Sequence, residues 1–478
     1  MATLGQLAIV LHTHMPYVEG GGAWPPADRA SFLREPEGYG TWPFGEEWLW
    51  EAIATSYVPL LDVLGRAPIT LSLTPVLCDQ LEAPGAIARC VRFLREIRPE
   101  SHRRDVKAFR AEGEKQLAAE LERSAAEYAA AADRLEQLER LSGGLLGALG
   151  RHASWTSTAS HAVLPLLATD SGIALQVQTG IDSHRRRFGD WRGGFWLPEC
   201  AHATWLHPLL EEAGVRAACI ELTSFFGPGD ARHLCPLQTE TGAVLWPIDR
   251  EMIALVWGGD GYPASPAYRD YHALTTYHHR PWCNGGGAYD AAAARELARA
   301  HAEDFVARVL ERVRDGGLCV FAIDTELLGH WWYEGVVWLG QVIEQCGAQG
   351  LALTTLDDAL ERHPPAPAPD ALPVSTWGAG EDLQTWSGPA VAQLAWRART
   401  AELDVFAAAS RPSDRAVREL LALQASDWAF LASRAMAADY PRERALAHAQ
   451  ALTEALAGTS ELSPAMRNLA PVLSGWSP

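Results

Sequence analysis

Two acidic residues stand where a chain could cut a covalent bond. Glu199 ends the segment Gly194-Phe195-Trp196-Leu197-Pro198-Glu199, and Asp324 ends Cys319-Val320-Phe321-Ala322-Ile323-Asp324. Each follows an apolar, strand-like run, with His202 near the first and Glu326, His330, Trp331 and Trp332 near the second. A carboxylate in such a place also serves as a helix cap, so neither segment alone decides its role. Together they have the composition a retaining glycosidase requires: one carboxylate attacks the anomeric carbon and the other protonates the departing oxygen, about 5–5.5 Å away. The acid must keep its proton near neutral pH, which a Trp-lined setting or a neighbouring charge such as Glu326 favours.

A second constellation competes. His12-Thr13-His14 also follows an apolar run, and an H-x-H after a first barrel strand opens the metal site of amidohydrolases. With Glu199, His202 and Asp324 it makes a conceivable zinc set. No later strand clearly ends in an isolated His or Lys ligand, and the set leaves the 19 Trp unexplained, which outnumber both Tyr (11) and Phe (12). Flat apolar rings with one N–H suit the faces of pyranose sugars, although ordinary packing accounts for about half of such a complement. Gly20-Gly21-Gly22 and Gly285-Gly286-Gly287 lack a phosphate-loop pattern, and no G-x-S-x-G elbow occurs.

The elements that must position these groups read as alternating β and α units. Strands are expected at 7–11, 69–73, 173–177, 194–197, 217–222, 252–257, 318–323 and 351–354, with helices at 47–64, 207–214, 291–314 and 336–346. Such alternation implies a parallel sheet closed, or nearly closed, as a barrel, with chemistry at the strand C-termini. Residues 104–141, rich in Ala, Glu, Arg and Leu without Pro, read as an inserted helical hairpin. A Pro/Ala linker at 363–373 marks a boundary, and helices are expected beyond it at 391–409, 414–435 and 442–456.

The net charge of -19 disfavours nucleic acid and anionic membranes as partners and suits a neutral substrate. No apolar run reaches about 18 residues, the N-terminal segment lacks a basic region and cleavage site, and the eight Cys show no C-x-x-C spacing. A cytoplasmic protein with reduced thiols is expected, and a monomer.

Seven segments in order, LHTHMPYV (11–18), WPFGEEWLWEAI (42–53), SLTPVLCDQL (72–81), GFWLPECAH (194–202), AIDTELLGHWW (322–332), STWGAGEDLQTW (375–386) and QASDWAFL (424–431), resemble glycoside hydrolase family 57, and within it the 1,4-alpha-glucan branching enzymes. The resemblance implies an α/β fold: an incomplete TIM-like (β/α)7 barrel over 1–83 and 151–362, a helical insert at 84–150, a linker at 363–374, and an all-α C-terminal domain at 375–478 closing the cleft. It implies Glu199 as nucleophile and Asp324 as acid/base, with His12, His14, Trp42, Trp48, Trp257, His330, Trp377, Trp386 and Asp427 along an α-glucan such as amylose, glycogen or starch. It implies no metal and no organic cofactor. Branching enzymes of the family carry a longer loop with a Tyr over the active site; here 224–249 is short and contains no Tyr, and 277–291 is abbreviated. A lid that excludes water favours transfer, so its loss shifts the balance toward α-amylase-type hydrolysis. A glucan-binding protein on a decayed barrel is the non-catalytic alternative.

Overall fold

The computed structural model describes residues 5–18, 45–408, 410–458 and 468–475. At its centre is β1 (Gln6–Thr13), whose eight residues are all buried because both faces of a parallel strand are covered. Beside it run β2 (Thr70–Leu73) and, next to that, β3 (Ala153–Trp155), all parallel. Residues 194–196 continue the order through backbone bonds to Thr156 and Ala217. Then come β4 (Ala217–Ile220), β5 (Leu237–Gln238) and β6 (Val244–Pro247), with β6 parallel to β4 and β5 antiparallel on its outer side. Strand β7 (Leu318–Asp324) pairs with the other edge of β1, and Asp249 N–H to Val320 C=O (2.9 Å) joins the end of β6 to it. The ring β1, β2, β3, 194–196, β4, β6, β7 is thus a seven-membered barrel in which isolated bridges on either side of 194–196 and a single bond between the end of β6 and β7 join two separate sheets. Strand β8 (Ala352–Thr354) pairs with the start of β1, and β9 (Ala366–Pro367) with β5.

Two expected strands are helices. Residues 173–177 belong to the helix Asp170–Phe188, begun by Thr169, whose side chain accepts from Gly172 N–H; the apolar residues recur at helical spacing around buried Gln176 and Thr179. Residues 252–257 lie in the helix Arg250–Trp257, capped by Asp249 through Met252 N–H. The strands that fill the ring instead, β3 and β6, are three and four residues long. The helix expected at 47–64 is present but contains a π turn at Ile53–Tyr57.

Between β2 and β3 stand the helices Arg98–Glu112 and Lys115–Glu139, which pack as the expected hairpin. The helix expected over 414–435 breaks into Asp414–Leu423 and Ser426–Ser433, and the break presents Ser426 and Asp427 at a helix start. With Ala392–Phe406 and Tyr440–Leu456 these form a second apolar core, which also takes in Tyr17, Val76 and Leu175 of the barrel.

Gly194 lets the 194–196 segment join the ring. A Cβ there would lie 2.1 Å from the buried Trp155 indole nitrogen. Gly194→Ala is therefore expected to destabilise the fold by about 1–3 kcal/mol through overpacking, measured as a lower urea midpoint with unchanged slope; an unmoved midpoint would contradict this packing.

Candidate active site

Strand register assembles the first group. His12 of β1 stands opposite Ser72 of β2 on one side and Asp324 of β7 on the other, all at strand C-terminal ends. Glu199 arrives on a tight turn with φ 62° and ψ 23°, followed by Cys200 at φ 49°. Consecutive non-glycine residues in this region are strained and need outside support. That support comes from 375–377: Trp377 N–H donates to the Glu199 carbonyl (3.0 Å), and His202 and Ser375 exchange backbone bonds of 2.9 and 3.1 Å.

Glu199 and Asp324 line one cavity of about 650 Å³. His14, Trp48, Trp257, Trp377, Trp386 and Asp427 line it too, from the barrel and from the segments after it. Trp257 is 45% exposed there, whereas Trp386 is only 2% exposed. His12 lies wholly buried beneath the floor, its ring stacked on Trp196 at 4.5 Å. His330 is outside this cavity; its Nε2 accepts the Trp48 indole N–H at 3.0 Å. Trp42 falls outside the described residues. His202 pairs with His207 (Nε2 to Nε2, 2.8 Å) and does not reach the cavity, which breaks up the zinc set drawn from sequence.

The two carboxylates have different partners. Glu199 Oε2 accepts the Trp377 indole N–H (2.9 Å) and Oε1 accepts the Ser426 hydroxyl (3.0 Å). Burial raises its pKa, and these two donors and the charge of His14 oppose that rise. Among the described residues the Asp324 carboxyl has no hydrogen-bond partner. Burial first, then the charges of Glu326, Glu199 and Asp427, push it well above the usual carboxylate range. Glu326, which accepts from Tyr57 Oη (2.6 Å) and His14 N–H (3.1 Å), is raised by burial to about 7. Burial works against a charge on His14, but Asp427 Oδ1 at 2.9 Å and the nearby Glu326 and Glu199 outweigh it, so its pKa is raised.

Behind Glu199 runs a chain of hydrogen bonds with one consistent polarity. Burial keeps His12 and His161 neutral, so each ring has one donor and one acceptor nitrogen. Ser426 spends its proton on Glu199 and must accept from His161 Nδ1–H (2.8 Å). His161 Nε2 must then accept from His12 Nε2–H (2.9 Å), leaving His12 Nδ1 to accept from Ser72 (3.3 Å). Every donor points toward Glu199. Sequence reasoning missed His161, whose φ of 62° sits in no recognisable motif, and Ser426, which was visible only as the neighbour of Asp427.

The family model for glycosyl hydrolase family 57 matches residues 150–371, and that for the C-terminal region of 1,4-alpha-glucan branching enzymes matches 390–467. A probable 1,4-alpha-glucan branching enzyme of Mycobacterium tuberculosis is 31% identical over 99% of this chain and 95% of its own. The chain belongs to glycosyl hydrolase family 57. A family 57 branching enzyme of Thermococcus kodakarensis is 30% identical over 93% of the chain and 72% of its own. The crystal structure of a family 57-type branching enzyme from Pyrococcus horikoshii superposes with a TM-score of 0.82 at 27% identity, covering 94% of this chain and 89% of that one. Family membership makes the barrel cavity the place to look for glycoside chemistry.

Ser426→Ala in this family 57 chain removes a hydrogen bond to a charged group and interrupts the chain from His161. Turnover is expected to fall roughly ten- to a hundred-fold with unchanged thermal unfolding; steady-state rates equal to those of the parent protein would show that Ser426 does not support Glu199.

Proposed function

We propose that this family 57 chain is a retaining 1,4-alpha-glucan branching enzyme, with Glu199 as nucleophile and Asp324 as general acid/base. The observation that carries the reading is the asymmetry of the two carboxylates. Glu199 is held by donors that favour its charged form, while Asp324, without a hydrogen-bond partner among the described residues and surrounded by negative charge, keeps a proton.

The cycle follows from these states. Asp324 gives its proton to the glycosidic oxygen while Glu199 Oε attacks the anomeric carbon, forming a covalent glucosyl ester. Asp324, now ionised, takes a proton from the C6 hydroxyl of another chain, whose oxygen displaces Glu199. Trp48, Trp257 and Trp377 supply apolar faces for the sugar rings, and residues within 377–386 and 427–436 wall the cleft from the C-terminal part of the chain. The relatives' shared designation as branching enzymes supports transfer over hydrolysis. The reduced state of all eight cysteines accords with a cytoplasmic site of action.

One observation favours a larger share of hydrolysis. None of residues 224–249 lines the cavity; that stretch is taken up by β5, β6 and short helical turns. A cleft without a lid from this stretch admits water more readily than one that has it.

Incubation with amylose, following new reducing ends and, after debranching, new α-1,6 links, tests the proposal. Branches with few reducing ends are expected; reducing ends alone would make the chain a hydrolase. Glu199→Gln and Asp324→Asn are each expected to abolish turnover of a folded protein, and substantial activity in either would sink the assignment. Because Glu326 raises the Asp324 pKa, Glu326→Gln lowers it, so the acid loses its proton at lower pH. The alkaline limb of the kcat/KM profile is expected to move to lower pH, and an unmoved limb would deny Glu326 this influence.

A further inference from the structure

A second cavity of about 650 Å³ adjoins the catalytic one. It is walled by Glu51 and Thr55 near the first helix, by Arg123 and Tyr128 of the insert helix Lys115–Glu139, and by Tyr271 and Tyr333. Its size falls within the range of small-molecule sites, about 300–1,000 Å³. The partition between the cavities is thin: Trp331 lines both, and His330 on this side accepts the indole N–H of Trp48 from the other.

We infer that this cavity binds a second α-1,4-glucan chain, the one that accepts the transferred segment. The inference rests on the branching reading. Chain transfer needs two carbohydrate partners, and the cavity at Glu199 accommodates the donor. The partition is built from the loop that leaves Asp324, since Asp324, Glu326, Leu327 and Trp331 all face the catalytic cavity. A chain passing from the second cavity into the first thus enters beside the group that must deprotonate its C6 hydroxyl.

The chemistry of the walls suits a neutral polyol. Three of the five arginines in the walls stand beside carboxylates: Arg123 by Glu120 and Glu127, Arg269 by Glu120, Arg134 by Asp62. A fourth, Arg280, donates to the Tyr271 carbonyl (2.9 Å) and stacks on its ring. At the paired positions an anion would have to displace a carboxylate, whereas a guanidinium beside a carboxylate offers the adjacent donor and acceptor that neighbouring sugar hydroxyls use. Tyr271 leans on Trp331 (centroids 4.7 Å apart, planes at 36°), making an aromatic corner against which a pyranose ring can stack. Apart from Asp62 and the shared Trp331, these groups come from the insert and the 269–291 segment, which contribute nothing to the cavity of Glu199.

Ala130 lines the second cavity from an exposed position of the insert helix, so Ala130→Trp fills the space without entering the core. Calorimetric titration of the Glu199→Gln protein with maltoheptaose is expected to show two binding events, and Ala130→Trp in that background only one. In the active protein, with amylose as donor and maltoheptaose as acceptor, Ala130→Trp is expected to raise the acceptor KM about five-fold or more with reducing-end release unchanged. Tyr271→Ala provides the same test should Ala130→Trp not fold. A single binding event in Glu199→Gln, or an unaltered acceptor KM in folded variants, overturns the inference and leaves the roles of Glu199 and Asp324 intact. Absence of any turnover by the parent protein overturns the branching reading and this inference together.

Discussion

The catalytic geometry hangs on a two-point attachment between Trp377 and Glu199. The Trp377 backbone N–H holds the Glu199 carbonyl and its indole N–H holds the Glu199 carboxylate. Two adjacent non-glycine residues at positive φ cost about 1–3 kcal/mol each, and a turn of this kind relaxes unless its surroundings over-determine it. The first bond fixes the backbone and the second aims the side chain. Trp377 is itself wedged between Trp196 (5.0 Å) and Trp257 (5.5 Å), and its carbonyl accepts from Arg250 Nη1 (2.9 Å). Trp377 thus connects the barrel floor, the cavity mouth and the Glu199 turn in one contact set.

From that attachment the electrostatics follow. One low-dielectric cavity has to keep one carboxyl charged and another neutral, and burial alone pushes both toward neutrality. Among the described residues the difference is made by donors: two on Glu199, none on Asp324, two sharing one oxygen of Glu326. The neutral His12 and His161 pass polarity toward Glu199 without adding positive charge that would also stabilise ionised Asp324. His14, set against Asp427, is the histidine of this cluster whose pKa is raised, because the neighbouring carboxylates outweigh its burial.

Much of this was legible in the sequence. Strands β1 and β7 announced themselves because fully buried parallel strands are unbroken apolar runs, and the histidines at the end of β1 and Asp324 at the end of β7 stood out by contrast. Strands β3 and β6 did not: Ala153-Ser154-Trp155 is only partly apolar and Val244-Leu245-Trp246-Pro247 ends in a proline, whereas the comparably short β2 and β4 were expected from their sequence. Their neighbours 173–177 and 252–257 were dense enough in apolar residues to pass for strands although Thr169 and Asp249 stand ready as helix caps. His161 and Ser426 were hidden for a different reason. Their contribution depends on meeting across the long sequence separation between residues 161 and 426, and nothing local to either predicts the meeting. His330 read as a cleft residue because it follows Asp324 closely, but the loop turns it to the far side of Trp48.

The donors to Glu199 also arrive late. Trp377 and Ser426 lie 178 and 227 residues after it in the chain. During synthesis on the ribosome every strand of the ring emerges before either donor. The nascent barrel therefore holds Glu199 on a turn with nothing to fix it and no hydroxyl or indole on its carboxylate. With Glu199 in its proposed role, such an intermediate has a fold but no competent nucleophile, and the ability to cut glucan would date from the moment the segment around Ser426 docks.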